Sequence, residues 1–238
     1  MEGSDDMELL RTENLCKIYL EGKNKVVALD DVNLSVQRGE FVAIVGTSGS
    51  GKSTLMHLLG GVDIPTSGSI WIEEQNLAAM REKELAVFRR RKVGLVYQFY
   101  NLIPTLNVRK NILLPMLLDG REPDEKAFSE LVETLGLTDR LSHLPNELSG
   151  GQQQRVAVGR SLIYRPAILL ADEPTGNLDR KNSAEILELL KLSNRQYKQT
   201  ILLITHDEKI ALEADRIIRI EDGKIVSDKA NASGGDGQ

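Results

Sequence analysis

A run of small residues followed by lysine and serine is the most chemically specific feature of this 238-residue chain. Gly46, Gly51, Lys52 and Ser53 fit the G-x-x-x-x-G-K-S pattern of a phosphate-binding loop. In such a loop, backbone N–H groups surround phosphate oxygens, the lysine adds a positive charge and the serine hydroxyl binds Mg²⁺. A surface turn that matches by chance is the alternative. The residues predicted to bind phosphate are Gly46, Thr47, Ser48, Gly49, Ser50, Gly51, Lys52, Ser53 and Thr54.

A second feature is an apolar run that ends in two acids. Residues 168–171 are apolar and are followed by Asp172 and Glu173. In phosphate-binding ATPases and GTPases, an acid at such a strand end holds Mg²⁺, and a neighbouring group orients the attacking water. We therefore predict that Asp172 binds metal through water and that Glu173 activates water. A solvent-facing turn or a helix cap is the alternative for such a pair.

The segment Leu148–Gln152, with the sequence LSGGQ, is a third feature. It combines a serine hydroxyl, two glycine N–H groups and the predicted start of a helix, with Ser149 as the N-cap. These groups together offer a second surface for an anion. The alternative is a loop that is followed by an ordinary capped helix.

Alternating strands and helices are predicted around these features. Phe41–Val45 is short and apolar, which indicates a buried strand, and Lys52–Leu59 has leucines at helical spacing. Strand, loop and helix thus follow in the order that the phosphate-binding pattern requires. Further strands are predicted at 15–20, 32–36, 69–72, 93–97, 167–171, 201–204, 217–220 and 224–226, and helices at 125–135, after Ser149, and from Asp179 through Leu192.

These elements predict one α/β domain over residues 1–238. Its core has a mostly parallel sheet, preceded by an antiparallel β-rich subdomain and interrupted by a helical subdomain at about residues 99–164. Turns are predicted at Glu21–Asn24 and, within a hairpin, at Asp222-Gly223. Residues 227–238 are small and polar, so we expect a frayed tail.

Composition argues against several classes of function. The net charge of −5 is unlike that of a general nucleic-acid binder, and the basic run Arg89–Lys92 is more typical of a solvated helix end than of a binding patch. Cys16 is the only cysteine, so an internal disulfide is excluded. We expect no signal peptide and no membrane-spanning helix, since the best apolar run, Ile112–Leu118, is short and contains Pro115.

Taken together, the motifs resemble those of the nucleotide-binding subunits of ATP-binding cassette (ABC) transporters, whose core is that of a P-loop NTPase. The resemblance extends from about Leu9 to Val226, and the motifs occur in the family's order. The segments Tyr97–Leu106 and Asp172–Asp179 are similar to a subgroup that serves lipoprotein release, macrolide or antimicrobial-peptide export, and cell division. Departures from that subgroup's usual residues are Lys110, Gly159 and Ser161.

The resemblance implies further contacts with ATP and Mg²⁺. Tyr19 corresponds to the aromatic residue on which adenine stacks. Gln98 corresponds to a glutamine that senses Mg²⁺ and the γ-phosphate, and His206 to a histidine that contacts the γ-phosphate. Strand packing, a surface amide and a helix cap are the respective alternatives. The D-loop of the family corresponds to Asn177–Asp179. The other implied ATP contacts are Ser149, Gly150, Gly151 and Gln152 of the family signature and Asp179 of the D-loop.

The resemblance also implies partners. In this family the phosphate loop of one subunit and the signature of another close on the same ATP, so we expect an ATP-dependent head-to-tail homodimer. Lys52, Mg²⁺ and His206 would stabilise charge on the γ-phosphate while Glu173 orients or deprotonates water. A membrane permease is expected to contact residues 99–106, which would place the protein at the cytoplasmic face of the cell membrane; packing of these side chains within the helical subdomain is the alternative.

The expected function is ATP hydrolysis that powers a separate permease, for export or removal of a peptide, lipid or antibiotic-like substrate. A regulatory ATPase of a cell-division-type membrane complex, which transmits a signal without moving substrate, is the second interpretation. The third is a soluble ABC protein of DNA repair or translation. Such proteins carry long coiled coils, zinc modules or two tandem cassettes, and this sequence has none of these.

Overall fold

The computed structural model describes residues 8–21 and 24–231. The strands are β1 (Glu8–Glu21), β2 (Asn24–Gln37), β3 (Phe41–Val45), β4 (Ser67–Ile72), β5 (Gln75–Asn76), β6 (Val93–Tyr97), β7 (Ile168–Asp172), β8 (Thr200–Ile204), β9 (Arg216–Glu221) and β10 (Lys224–Ala230). The helices are α1 (Lys52–Leu59), α2 (Glu82–Lys92), α3 (Val108–Leu118), α4 (Glu125–Thr134), α5 (Gly150–Leu162), α6 (Arg180–Tyr197) and α7 (Glu208–Ala211).

The strands form two sheets of different kinds. The larger has the order β10-β9-β3-β8-β7-β6, in which neighbours from β9 to β6 are parallel and β9 pairs with β10 antiparallel. The smaller has the order β2-β1-β4-β5 and is antiparallel throughout its described strands. The predicted α/β core with a mostly parallel sheet and an antiparallel N-terminal subdomain is confirmed.

The central strands are apolar because packed layers cover both faces of the larger sheet. Val42 and Ile44 of β3 pack into a core shared with α1, α2 and the smaller sheet. Phe41 and Ala43 point the other way, as alternate residues of a strand do, into a core beneath α3 to α6. The strand ends that carry the polar motifs are therefore held from two sides.

The predicted helical subdomain contains α3, α4 and α5. The first turn of α5 is held by two reciprocal hydrogen bonds. The Ser149 hydroxyl accepts a hydrogen bond from the Gln152 N–H at 3.3 Å, while Gln152 Oε1 accepts one from the Ser149 N–H at 2.9 Å. This reciprocal capping box confirms Ser149 as the N-cap. Among the described ranges, no helix combines the length and apolar character needed to cross a bilayer.

Several predicted ends are wrong. Strands β1 and β2 begin well before the predicted Leu15 and Val32, because the two strands pair with each other over most of their length. Helix α6 continues past Leu192 to Tyr197, because its last turns still bury Ser193 against the rest of the protein. Residues 227–230 belong to β10 and are not frayed, since Arg216 on β9 binds the Asp228 carboxylate through two hydrogen bonds of 2.5 Å. The rest of the predicted tail, residues 232–238, lies outside the described residues.

The predicted hairpin turn at Asp222-Gly223 is confirmed. Strands β9 and β10 pair up to Glu221 and Lys224, and the two residues between them have φ angles of 47° and 77°. Positive φ at both central positions is characteristic of the two-residue turns that match strand twist. The tip of the other predicted turn, Gly22 and Lys23, lies outside the described residues.

The basic run Arg89–Lys92 is the last turn of α2, as predicted, but it binds other parts of the protein instead of water alone. Arg90 and Arg91 both pair with Asp119, whose side chain is fully buried at the end of α3. Hydrogen bonds from Arg91 and then Tyr164 lower the pKa of Asp119 to about 2. This cluster joins α2 to the helical subdomain.

Asn111 on α3 is fully buried and anchors the segment that precedes this helix. Its amide nitrogen donates to the carbonyls of Leu106 at 2.7 Å and Ile103 at 3.1 Å, and its Oδ1 accepts from the Ile103 N–H at 2.8 Å. One side chain thus satisfies backbone groups on both sides of a loop that has no regular structure of its own.

We predict that Asn111→Ala lowers the free energy of unfolding by about 2–3 kcal/mol, because buried backbone groups lose their partners. Urea denaturation measures this change. The control is Asn146→Ala, at an exposed position in the turn before α5, which is expected to change stability by less than about 0.5 kcal/mol. Equal losses in the two variants would show that the Asn111 hydrogen bonds do not hold the loop.

Candidate functional site

The predicted phosphate loop connects β3 to α1. The Lys52 side chain lies against the loop, where Nζ donates to the carbonyls of Gly46 at 2.9 Å and Thr47 at 2.7 Å. Thr47, Ser48, Gly49 and Ser53 are exposed, whereas Ser50 is buried. A full positive charge and the partial positive charge of the α1 N-terminus therefore lie in one solvent-accessible loop.

Two glycines of the loop have different constraints. Gly51 has a φ of +105°, and a Cβ added there would lie 2.4 Å from the carbonyl oxygen of Ala28. Gly49 has a φ of +79°, but a Cβ there would meet nothing within 4 Å. Of these two positions, only Gly51 requires glycine both because of its backbone angle and because of close contact with another strand.

Four neighbouring parallel strands end in one row beside this loop. The row is marked by Ile44, Ile204, Asp172 and Tyr97, which pair across β3, β8, β7 and β6. Because adjacent strands lie about 5 Å apart, residues just beyond the row are brought close together. The predicted site residues that follow these strands are Gly46, His206, Glu173 and Gln98.

Glu173 and His206 are in direct contact. Glu173 Oε1 lies 2.8 Å from His206 Nδ1, and the Glu173 N–H donates to the Ile204 carbonyl at 3.0 Å. The Glu173 backbone has a φ of 48°, an unusual left-handed conformation that costs about 1–3 kcal/mol and is typical of functional sites. Asp207, not His206, caps α7, which excludes the helix-cap alternative.

Gln98 is joined to the D-loop. Its Nε2 donates to Asn177 Oδ1 at 3.1 Å, and Asn177 Nδ2 donates back to the Gln98 carbonyl at 3.1 Å. The amide also lies against Gly176, where an added Cβ would approach it to 2.9 Å. Gln98 is therefore not a free surface amide; it connects the end of β6 with the loop that follows Glu173.

The signature residues Ser149, Gly150, Gly151 and Gln152 form the start of α5, which packs beside β6. Strand β6 is three strands from β3, a distance of about 14 Å, so one chain holds its phosphate loop and its signature apart. Gly151 is instead packed on Asn182, where an added Cβ would lie 2.0 Å from Oδ1.

Asp179 of the D-loop caps α6 next to this contact. It accepts hydrogen bonds of 2.8 Å from both the backbone N–H and the side-chain amide of Asn182. These bonds, the backbone one first, lower the pKa of Asp179. The carboxylate thereby fixes the Asn182 side chain against the signature.

Tyr19 lies on β1 and is 36% exposed, so it is not an ordinary buried strand residue. Its hydroxyl donates to Asp63 Oδ2 at 2.8 Å. Burial, followed by the hydrogen bond to Asp63, raises the pKa of the Tyr19 hydroxyl, which stays protonated at neutral pH.

Three residues that support the site were not singled out from the sequence: Asn182, Asp63 and Gln154. Gln154 is fully buried, and its Nε2 donates to the carbonyls of Tyr97 at 3.2 Å and Pro174 at 2.7 Å. It thus ties α5 to the ends of β6 and β7. Asn182 follows Asp179 by three residues, a capping spacing that could have identified it; Gln154 resembles any polar helix residue.

This fold and this arrangement of loop, acids and histidine define a P-loop nucleoside triphosphatase. The sequence profile of the ABC transporter family matches residues 29–176. The chain therefore belongs to the ABC transporter family, and it is one of the family's subunits that bind and hydrolyse ATP.

Individual relatives agree with this assignment. The lipoprotein-releasing system ATP-binding protein LolD of Bordetella pertussis is 43% identical over 229 residues, which cover 95% of this chain and 99% of that protein. An uncharacterised ABC transporter ATP-binding protein of Methanocaldococcus jannaschii is 44% identical over 220 residues, which cover 92% of this chain and 98% of that protein. The solved ATP-binding cassette MJ0796, dimeric and bound to ADP and Pi, has a TM-score of 0.86 and 39% identity, covering 93% of this chain and 98% of that one.

We predict that Gly51→Ala abolishes detectable ATP binding, because the new Cβ would collide with the Ala28 carbonyl and displace the loop. Titration with a fluorescent ATP analogue measures the affinity. Gly49→Ala is the matched control: it carries a positive φ in the same loop without a collision, and we expect at most about a tenfold loss of affinity from backbone strain. Normal binding by Gly51→Ala would contradict the described loop geometry.

Proposed function

We propose that Glu173 is the base that activates water for ATP hydrolysis at the shared edge of β3, β8 and β7. The contact of 2.8 Å between Glu173 Oε1 and His206 Nδ1 carries this assignment. An ionised carboxylate only accepts hydrogen bonds, so Nδ1 holds the proton of this pair. His206 thereby orients Glu173. The histidine side chain is 75% exposed, so a γ-phosphate can reach Nε2 and accept a hydrogen bond from it when this nitrogen also carries a proton.

The other residues of the site would position and neutralise the phosphates. Phosphoryl transfer depends mainly on positioning and electrostatic stabilisation, since the protein contributes little covalent chemistry. Lys52 and the backbone N–H groups of residues 46–54 supply positive charge at the β- and γ-phosphates. The Tyr19 ring, on the protein face that carries β1, would bind the adenine by stacking against it.

The donors at the strand ends suit Mg²⁺. The Ser53 hydroxyl would bind this hard ion directly and the Asp172 carboxylate would hold it through water, and both offer the oxygen donors that Mg²⁺ prefers. Within the described residues, no group of three or more His, Cys, Asp or Glu side chains forms a separate metal site. Few protein ligands are expected for an ion that also binds phosphate oxygens and water. Gln98 is the third proposed ligand, and Mg²⁺ would supply charge neutralisation at the phosphates.

The complete site requires a second copy of the chain. The phosphate loop and the signature lie three strands apart in one chain, while both matched structures of the MJ0796 cassette are dimers. A head-to-tail dimer would bring Ser149 and the first N–H groups of α5 from one copy to the ATP held by the other. The serine hydroxyl and the helix N-terminus suit a phosphate.

The partner in the membrane is proposed to be a permease that contacts residues 99–106. Phe99 is 69% exposed and Ile103 is 40% exposed, and Asn111 holds this segment in place. Relatives named as lipoprotein-releasing ATP-binding proteins favour a lipoprotein or another lipid-linked substrate. The protein would act peripherally, on the cytoplasmic face where ATP is supplied.

We predict that Glu173→Gln retains ATP binding and loses at least about 100-fold in hydrolysis rate, because an amide cannot take a proton from water. Phosphate release and analogue titration measure the two properties. Glu208→Gln, at an exposed position on α7, is the control and should keep both. Hydrolysis at the normal rate by Glu173→Gln would refute its role as the base.

Complementation tests the shared site. Lys52→Ala damages the phosphate loop, and Ser149→Asp damages the signature by charge repulsion while keeping a good helix cap. Each variant alone should be inactive, whereas an equimolar mixture should recover about a quarter of the normal activity, because random pairing gives half mixed dimers with one intact site each. A mixture as inactive as its components would contradict the head-to-tail arrangement.

A further inference from the structure

An ionic network formed with Lys17 and Asp63 holds Tyr19, whose hydroxyl also lies beside Thr54 in the first turn of α1. Lys17 and Tyr19 are two residues apart on β1, so their side chains lie on the same face of the sheet. Lys17 Nζ lies 4.8 Å from the centroid of the Tyr19 ring, a cation–π contact. Asp63 connects the two, since Oδ1 accepts from Lys17 Nζ at 2.7 Å and Oδ2 accepts from the Tyr19 hydroxyl at 2.8 Å.

Asp63 is itself fixed by the segment that follows α1. Its N–H donates to the His57 carbonyl at 3.2 Å, and its Oδ1 also accepts from the Ile64 N–H at 2.7 Å. Lys17 Nζ donates in turn to the Ile64 carbonyl at 2.7 Å. Helix α1 begins in the phosphate loop, so the same short helix carries the phosphate site at its start and fixes Asp63 just beyond its end.

The network has the protonation states that its hydrogen bonds require. Burial raises the pKa of Asp63, but hydrogen bonds from Lys17 and Tyr19 outweigh it, so that this pKa lies below its ordinary range. The carboxylate is therefore ionised at neutral pH and accepts from both partners. With Lys17 on one face of the ring, a base can stack on the other face.

We propose that Asp63 is a positioning residue for the nucleotide base: together with Lys17 it holds the Tyr19 ring in the orientation that stacks on adenine. This inference rests on the proposed function, in which Tyr19 binds the base. It assigns to Asp63 an effect on base recognition and none on the phosphate chemistry. The affinity for ATP should then depend on Asp63, whereas the rate of the saturated enzyme should not.

The test compares ATP with ribose 5-triphosphate, which lacks the base. We expect Asp63→Ala to raise the KM for ATP roughly tenfold, the order expected for losing base–aromatic stacking, with kcat unchanged. The KM for ribose 5-triphosphate should not change. Asp63→Asn, which keeps the shape and the hydrogen bond from the Ile64 N–H but not the charge, should give a smaller rise in the KM for ATP. Glu213→Gln, which breaks a comparable 2.8 Å ion pair with Lys191, is the control.

Tyr19 variants separate this inference from the proposed function. Tyr19→Phe keeps the ring but not the hydroxyl, so it should raise the KM for ATP as Asp63→Ala does, and the double variant should be no worse than either single one. If Tyr19→Ala raises that KM and neither Asp63 variant does, the inference is wrong and the stacking role stands. If Tyr19→Ala also leaves the KM for ATP unchanged, both the inference about Asp63 and the proposed stacking role of Tyr19 fail. A loss of kcat in Asp63→Asn would also overturn the inference.

Discussion

The parallel pairing of β3, β8, β7 and β6 is the constraint on which the rest of the structure depends. It aligns Ile44, Ile204, Asp172 and Tyr97 in one row, so the segments that follow leave the sheet at the same edge. Residues far apart in sequence thereby become neighbours, as the 2.8 Å contact between Glu173 and His206 shows. A slip of one residue in any of these strands would move its motif to the opposite face of the sheet.

Hydrophobic cores on both faces keep this register. The strands β3, β7 and β8 are continuous apolar runs because α1 and the smaller sheet cover one face and α3 to α6 cover the other. The same two-sided burial made these strands predictable from the sequence. Phosphate-loop residues were predictable for a different reason: glycines, a lysine and a serine at fixed spacing serve few purposes other than phosphate binding.

Other features depend on contacts that a single sequence does not reveal. The length of β10 depends on the Arg216–Asp228 pair across the hairpin, so composition alone suggested a frayed tail. The support given by Gln154 and Asp63 could not be predicted from the sequence, because it depends on which strand ends and which loop lie beside these residues in the fold. Membership of the ABC transporter family confirms the class of protein that the motifs indicated, while the roles of single residues are proposals from geometry.

The proposed catalytic site depends on ATP binding between the phosphate loop of one copy and the signature of another. Disulfide formation between Ser48→Cys and Ser149→Cys, at two exposed positions, tests it in a chain that also carries Cys16→Ser and Glu173→Gln. With ATP, we expect a cross-link between two chains that migrates as a dimer, and we expect little cross-linked product without nucleotide. A disulfide formed within one chain, or cross-linking that ATP does not increase, would contradict the shared site.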